Sequence, residues 1–404
     1  MDWAKVEKSS KTIKTINKLS FGVGIIMVAF SVLILLFSYF WTDYGLILML
    51  THTRPFLDQL NTLANFGNTH REVLAWTYFL LIAGMFGMQI LIFLPKLLAR
   101  LSAKILFVTA GITTFLFSLA YPFLSYDIFT YLFSAKTVWV YQANPYLTAP
   151  ESFASTDLWV SFMRNIQFTY PYGAVSLLYS LIPMIIFSGR RFILNFFGLK
   201  LMNAIVFYLA GLILFRLGSN KKVFSIWFFN PLLLIELLAN SHNDLLMIGL
   251  FFLSLFYLRR KEIKKAWAAL LASVFTKYVS IIGLPAVFLS EAKRRCFFRI
   301  LSVGLVVLLG LQTNRPNQAW YYTWIYMFLP LIKLKTSSWG VIYLIGFLLL
   351  THYFSFIRSG FWGGAKLIPN SQLLFYFLVI LVVFIELDLW KMAVSKLGLI
   401  FKKS

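Results

Sequence analysis

Long apolar runs separated by short polar segments make up most of the chain. The runs are continuous, and many approach the roughly 20 residues that a helix needs to cross a bilayer. Strands of a membrane barrel would instead alternate apolar and polar positions. We therefore predict an all-α, polytopic integral membrane protein with about 11–13 transmembrane helices. The predicted spans are 19–41, 73–94, 105–124, 174–188, 192–217, 223–239, 245–258, 266–289, 300–311, 321–332, 341–357 and 373–389.

The most informative interruption of this pattern is the segment 125–173, which we predict to be an external, water-facing loop with amphipathic helices lying in the membrane interface. The three-and-four spacing of a helix places four polar side chains of this loop on one face: Asp127, Thr130, Tyr131 and Ser134. A carboxylate at the boundary between lipid and water suits chemistry on a lipid-linked substrate. A carboxylate in a first helical turn also stabilises that helix, and this alternative stays open from spacing alone.

The composition of the 404 residues supports the membrane class, because 60% are hydrophobic and only 13% are charged, against roughly 25% charged in soluble domains. The net charge is +23. The basic residues flank the spans, as in loops that face an anionic lipid bilayer, and form no separate basic domain, so no nucleic acid partner is expected. The single cysteine, Cys296, excludes an internal disulfide. With no repeat or linker, residues 1–404 are predicted to form one domain.

Charge bias also predicts the orientation of the chain in a multi-pass cell membrane. The lysine-rich N-terminus is expected in the cytoplasm, and Lys96, Arg100 and Lys104 mark a second cytoplasmic loop, which places 125–173 on the extracytoplasmic face. The charge bias does not give a consistent orientation between 188 and 222, because basic residues stand at both ends of one apolar run, and a single span cannot have both ends in the cytoplasm. Either this run bends back near Lys200, or the pair Arg190 and Arg191 is external and binds phosphate.

Two short turns in the loop carry tyrosines. NPY contributes Asn144 and Tyr146, and YPYG contributes Tyr170 and Tyr172. Proline and glycine set the backbone of such turns, and the tyrosines present hydroxyls and flat ring faces. With Tyr126 and Tyr131 these side chains suit a saccharide site, and they suit an aromatic belt at the membrane interface equally well.

The densest polar cluster is NSHND at 240–244, at the end of a predicted span. It contains His242, Asn243 and Asp244. One histidine and one aspartate are too few for a closed metal site. Asp244 and Asp127 are a candidate pair for one divalent cation, Mg²⁺ or Mn²⁺, and Asp244 is alternatively a partner that fixes the tautomer of His242. Helix capping is the simplest alternative for this motif.

Two cations are candidates for binding a phosphate. Lys277 lies deep in the apolar run 266–289, which we predict to be a hairpin with Lys277 near its apex, and buried cations in membranes are usually functional. Arg315 precedes the aromatic residues Trp320 and Tyr321. Snorkelling of Lys277 and interfacial anchoring by Arg315 are the corresponding alternatives.

These residues resemble the GT-C glycosyltransferases, and most closely the polyprenol-phosphomannose-dependent alpha-1,6-mannosyltransferases of the mycobacterial and corynebacterial type. The matching stretches occur in the family's order: SYDIFTYLF with NPYL, TYPYG, NPLLLIE, HNDLLMIGL, TKY and AWYYTW. The resemblance implies a GT-C-like bundle with Asp127 as the general base. Two positions depart from it, since many relatives have two adjacent acids where this chain has Tyr126 and Asp127, and Ala174 replaces a proline.

We therefore expect inverting transfer of a hexose, with mannose favoured, from a polyprenyl-phosphate-linked donor to a hydroxyl of an acceptor glycan or glycolipid. No nucleotide site is expected, because the chain has no glycine-rich phosphate loop. A membrane transporter or lipid-linked-sugar flippase is the alternative, with Lys277 and Glu236 lining a path as intramembrane charges.

Overall fold

A computed structural model describes residues 10–42, 54–218, 220–310, 318–360 and 369–386. Within these ranges the chain forms helices joined by turns, with no strand, which confirms the all-α prediction. The α-helices are Ser10–Ser38, Arg54–Thr69, Arg71–Phe93, Pro95–Arg100, Ala103–Leu119, Asp127–Trp139, Ala174–Ile186, Phe192–Gly218, Lys221–Phe228, Pro231–Leu233, Asp244–Arg259, Ile263–Val274, Glu291–Gly310, Thr336–Thr351, Tyr353–Ser359 and Pro369–Glu386.

Four helical segments are long and apolar enough to cross a membrane: Ile16–Trp41, Arg71–Phe93, Phe192–Gly218 and Thr336–Ser359. Lys221–Phe228 and Pro231–Ala239 together make a fifth if the pair, bent by 41°, counts as one span. These helices confirm a polytopic membrane protein. The predicted number of spans is larger than this, because several predicted spans are divided into shorter helices.

The C-terminal half shows this division most clearly. The run 266–289 is split into the α-helix Ile263–Val274 and the 3-10 helix Tyr278–Val287, with the break at the predicted apex beside Lys277. The predicted α-helical span 321–332 is instead a pair of 3-10 helices, Ala319–Met327 and Leu329–Leu331. These 3-10 helices contain proline or several aromatic residues: Pro285 lies in Tyr278–Val287, Ala319–Met327 has the sequence AWYYTWIYM, and Pro330 lies in Leu329–Leu331.

The predicted span 174–188 is also shorter than expected. Its helix, Ala174–Ile186, has 13 residues and a length of about 20 Å, against the roughly 30 Å of a bilayer core. It packs along the helix Asp127–Trp139, and Gly189 beyond its end lies against Trp139 and Val140. The segment therefore lies beside the loop helix and does not have the length to cross a membrane on its own.

This arrangement accounts for the conflict in charge between 188 and 222. Phe192–Gly218 is one continuous helix of 27 residues that runs through Lys200, so the alternative of a bend near Lys200 is excluded. The Phe192 ring packs on Trp159 and Phe162 of the loop. The arginine pair 190–191 therefore lies at the loop end of the helix, and Arg216 lies at the other end.

At the end of the bundle opposite the loop, basic side chains bind the backbone carbonyls of neighbouring helix ends. Among the hydrogen bonds of this kind that join separate segments are those from Arg259 to the Leu217 carbonyl at 3.0 Å, from Lys222 to that of Leu334 at 3.2 Å and from Arg299 to that of Lys333 at 2.8 Å. Cations at helix C-termini are favourable because the last carbonyls of a helix carry partial negative charge. Many of the chain's basic segments are thereby gathered on one side.

Candidate functional site

Asp127 is the first residue of the helix Asp127–Trp139, shortly after the buried segment 120–124. Tyr126 is the residue before the helix, and no side chain caps this helix terminus. The Asp127 carboxylate lies in the first helical turn, where it also stabilises the helix. The Asp127 side chain is 34% exposed, so it stands at an opening of the protein surface and remains accessible from outside.

Three side chains hold the Asp127 carboxylate: Tyr131 from the next turn of the same helix, and Tyr172 and His242 from distant segments. The Tyr172 hydroxyl donates to Oδ2 at 2.9 Å, the Tyr131 hydroxyl donates to the same oxygen at 3.4 Å, and Nδ1 of His242 lies 3.4 Å from it. Burial by itself raises the pKa of Asp127, but His242, Tyr172 and the charge of Lys277 outweigh that effect, and the pKa is lowered. The carboxylate is therefore ionised at neutral pH.

His242 is buried between two carboxylates. Its Nδ1 faces Asp127, and its Nε2 lies 3.3 Å from Oε2 of Glu236. Its ring stacks on Trp320 with the centroids 5.0 Å apart and the planes at 24°. Burial lowers the pKa of His242, but the two carboxylates more than offset this and raise it to about 9. Glu236, and not Asp244 as one sequence alternative had it, is the second partner of His242.

Asp244 forms a closed ion pair with Lys277. The Lys277 ammonium donates to Oδ1 at 2.8 Å and to Oδ2 at 3.0 Å, and the indole N–H of Trp324 also donates to Oδ1. Asp244 is fully buried, and Lys277 is 15% exposed. The ammonium also lies 5.3 Å from the ring centroid of Trp324 and 5.5 Å from that of Tyr172, within cation–π distance.

The pairing of Asp244 with Lys277 argues against a divalent ion bound between Asp127 and Asp244. Both oxygens of Asp244 are already engaged by an ammonium, and the described residues contain no group of three or more His, Cys, Asp or Glu that could hold a metal. A divalent cation shared by the two aspartates does not fit this set of donor atoms.

The local fold of 234–244 explains how His242 reaches Asp127. Leu234–Ala239 is a π-helix, a form that occurs mainly as single turns at functional sites. Ser241 follows with a φ of +60°, a left-handed conformation that is uncommon for a non-glycine residue. The buried Lys200 ammonium holds this turn by donating to the carbonyls of Leu238 and Ala239 at 3.2 and 2.8 Å.

Asn240 connects this turn to the buried segment 120–124 before Asp127. Its Oδ1 accepts a hydrogen bond from the Leu124 backbone N–H at 3.2 Å, and its Nδ2 donates to Glu236 Oε2 at 3.0 Å. Together with Lys200, Asn240 fixes the two polar segments relative to each other.

The loop tyrosines form a row of ring contacts. Neighbouring centroids are 5.6 Å apart between Tyr146 and Tyr170, 5.4 Å between Tyr170 and Tyr172, and 5.3 Å between Tyr172 and Tyr131. The row is anchored at Ser176, whose Oγ accepts from the Tyr170 hydroxyl at 2.9 Å and from Nδ2 of Asn243 at 3.1 Å. The YPYG and NSHND segments are thus brought together.

Gly173 allows this turn to approach the break before Lys277. Its backbone N–H donates to the Thr276 carbonyl at 3.2 Å, and a Cβ added at Gly173 would lie 1.9 Å from the Phe275 carbonyl oxygen. Only glycine fits this contact.

The remaining predicted residues have other positions. Asn144 is exposed, and its side chain accepts from the Tyr146 backbone N–H at 2.9 Å, which makes it part of a turn. Tyr126 is half-buried under the guanidinium of Arg164, which lies 4.7 Å from its ring centroid. Tyr321 contacts Lys277 at 5.9 Å through its ring. Arg315 lies outside the described residues.

The predicted water-facing polar face of the loop helix is wrong. Tyr131 and Ser134 are each 2% exposed. These two side chains turn inward, whereas Asp127, on the same face, keeps 34% of its side chain exposed.

Sequence reasoning missed Lys200, Trp324 and Ser176 as parts of this site, and it assigned Glu236 only to a transport path. For Glu236 and Lys200 the signal was available, since each is a single charge inside a long apolar run. Trp324 and Ser176 have no such signal, because tryptophan and serine are common in membrane helices.

Residues 23–293 match the family model described as alpha-(1->6)-mannopyranosyltransferase, N-terminal domain. The chain belongs to the alpha-(1->6)-mannopyranosyltransferase family. The family assignment confirms the resemblance given above and makes the protein a glycosyltransferase enzyme that uses a sugar donor and a glycan acceptor. No curated protein and no solved structure matches the chain.

The matched range of this mannosyltransferase contains Asp127, Glu236, His242, Asp244 and Lys277. The aromatic 3-10 helix Ala319–Met327 lies beyond it and supplies Trp320 and Trp324. The site is therefore completed by a segment outside the part that the family model covers.

Proposed function

We propose that this mannosyltransferase transfers mannose from a polyprenyl-phosphate-linked donor to a hydroxyl of an acceptor glycan or glycolipid, on the extracytoplasmic face, with inversion at the anomeric carbon. The observation that carries the proposal is the Asp127 carboxylate, which is ionised, accessible and held in one orientation by Tyr172, Tyr131 and His242. A general base needs these three properties.

The two oxygens of the Asp127 carboxylate have different roles in the proposed reaction. Tyr172, Tyr131 and His242 all contact Oδ2 of Asp127, and the acceptor hydroxyl would approach Oδ1 and release its proton there as its oxygen attacks the anomeric carbon. General base catalysis of this kind contributes typically about 100- to 10,000-fold in rate. Direct displacement of the phosphate by the hydroxyl inverts the anomeric centre.

The surroundings of Lys277 suit the departing phosphate. Two of its contacts are taken by Asp244, and the partly exposed ammonium has a further N–H to donate. The rings of Tyr172 and Trp324 around it offer flat faces for a sugar. Arg164, exposed above Tyr126, is a second cation on this side of Asp127, and Arg315 stays a candidate from the sequence.

The basic end of the bundle supports the proposed orientation. Cytoplasmic loops carry an excess of lysine and arginine, and in this protein the cations that bind helix ends lie opposite Asp127. Placing that basic end in the cytoplasm puts the site on the extracytoplasmic side, where a polyprenyl-phosphate sugar is a suitable donor because no nucleotide is required.

The test is to incubate the purified protein with radiolabelled polyprenyl-phosphate mannose and a short mannoside and to measure the labelled product. We expect transfer by the wild type, loss of transfer by Asp127→Asn, and unchanged transfer by Asp58→Asn, which alters an exposed acid on the separate helix Arg54–Thr69. Near-normal turnover by Asp127→Asn would contradict the proposal. A flippase would move the donor between leaflets of a vesicle without forming any product.

A further inference from the structure

Glu236 is a fully buried carboxylate in the apolar sequence LLLIELLA. A buried charge is costly unless a counter-charge and hydrogen bonds compensate it. Its Oε2 accepts from Asn240 Nδ2 at 3.0 Å and faces Nε2 of His242 at 3.3 Å. The cationic partner that this position provides is therefore the imidazole of His242.

We propose that Glu236 is a positioning residue that holds His242 in its protonated form against Asp127, so that the Asp127 carboxylate stays fixed and able to accept a proton. The part that concerns catalysis rests on the function proposed above, and the part that concerns the charge of His242 does not.

The charges of Asp127, His242 and Glu236 explain why a second carboxylate beside His242 favours a basic Asp127. A protonated His242 beside Asp127 alone would stabilise the ionised acid and weaken it as a base. Glu236 on the opposite ring nitrogen compensates the histidine charge, so the trio carries one net negative charge that is available at Asp127. Trp320, stacked on the imidazole, keeps the ring in this plane.

The other polar groups around the trio are engaged elsewhere or are neutral. Lys277 acts on Asp127 by its charge and is paired with Asp244. Lys200, on the far side of the same turn, binds backbone carbonyls. The uncharged phenols that face the trio are those of Tyr131 and Tyr172 near Asp127 and of Tyr78 and Tyr353 near Glu236.

The π-helical turn supplies the required geometry. The Asn240 backbone N–H donates to the Ile235 carbonyl at 2.8 Å, and the His242 backbone N–H donates to the Glu236 carbonyl at 3.2 Å. The widened turn brings residue 242 back over the side chain of residue 236. An ordinary α-helix would not place these two side chains face to face at this separation.

The first measurement is an NMR titration of the full-length protein with isotopically labelled histidine, in detergent. His242→Gln assigns the signal among the four histidines. We expect His242 in the wild type to titrate near pH 9, and in Glu236→Gln to titrate lower by about one unit or more, because one of two opposite charges is removed. Glu386→Gln, a carboxylate bonded to Ser338 at the opposite end, should leave the signal unchanged.

The second measurement is the pH dependence of mannosyl transfer. Glu236→Gln should lower turnover about tenfold or more, the factor that one pKa unit represents, with little change in KM, and its alkaline limb should move to lower pH. Glu236→Asp, which keeps the charge, should recover part of the turnover.

Wild-type His242 titrating at or below its ordinary value of about 6.5 would overturn the proposal, even if Glu236→Gln failed to fold. An unchanged His242 titration in a folded Glu236→Gln would also overturn it, as would a shifted titration with unchanged turnover. Failure of the wild type to transfer mannose would instead reject the proposed function and leave the NMR result to decide the charge of His242.

Discussion

Two acidic side chains of the site, Asp127 and Asp244, have opposite surroundings. Asp127 is one-third exposed and is held by two hydroxyls and a histidine, whereas Asp244 is fully buried and closed by the ammonium of Lys277 and the indole of Trp324. A carboxylate held by hydroxyls and still open to solvent can exchange a proton with a substrate. A carboxylate sealed by a cation fixes that cation in place. The two acids of one site therefore differ in what their partners leave them free to do: Asp127 keeps access to solvent, and Asp244 does not.

The largest expected effect separates the two acids by activity. Asp127→Asn should reduce turnover by about 100- to 10,000-fold, because the amide keeps the shape and still accepts the Tyr172 hydrogen bond but cannot take a proton. Thermal unfolding should change little, since the side chain is partly exposed. A variant that unfolds at a much lower temperature, while its folded fraction keeps the wild-type turnover, would contradict this prediction.

Asp244→Asn should mainly lower the stability of the protein, by about 3 kcal/mol in the free energy of unfolding. The reason is that Lys277, which is largely buried, loses its counter-charge. Chemical denaturation in detergent measures this difference. Adding Lys277→Gln to Asp244→Asn should restore part of the stability by removing the stranded ammonium. If the double variant is as unstable as the sum of the single ones, the pair is not coupled as described.

Gly173→Ala tests the packing that joins the tyrosine turn to the segment carrying Lys277. The added methyl group would overlap the Phe275 carbonyl, and we expect a destabilisation of about 1–3 kcal/mol. Gly87→Ala is a matched control, because a Cβ at Gly87 meets no neighbouring atom within 4 Å. Equal melting temperatures for the two variants would contradict the close approach.

The last expected effect is a pH dependence of stability, which is read as a difference between two proteins. The pKa of His242 is raised to about 9 in the folded protein, above about 6.5 in an unfolded chain. Its contribution to stability is therefore fully present below pH 6.5 and is lost as the pH rises through 9. The melting temperature should fall between pH 7 and 10, and this fall should be smaller in His242→Gln. An identical decline in both proteins would show that other groups cause it.

Sequence reasoning located the site better than it described the helices. It placed Asp127 and His242 at one end of the protein, because each lies in a polar segment directly after an apolar run, and the structure brings the two within 3.4 Å. It found the break at Lys277 from the same kind of signal. It was wrong about 174–188, because an apolar helix of that composition has the same pattern whether it crosses a membrane or packs beside another helix.

Continuous hydrophobicity, charge bias and polar interruptions are local properties of the chain, and they suffice to predict a polytopic membrane protein and the polar segments that come together around Asp127. Only the tertiary structure decided which side chains are partners: Lys277 with Asp244, His242 with Glu236 and Asp127. Ion pairs of this kind depend on the distance between atoms far apart in the sequence, and that distance is set by how the helices pack. The different surroundings of the two aspartates follow from that packing, because both are the same residue type at a helix start.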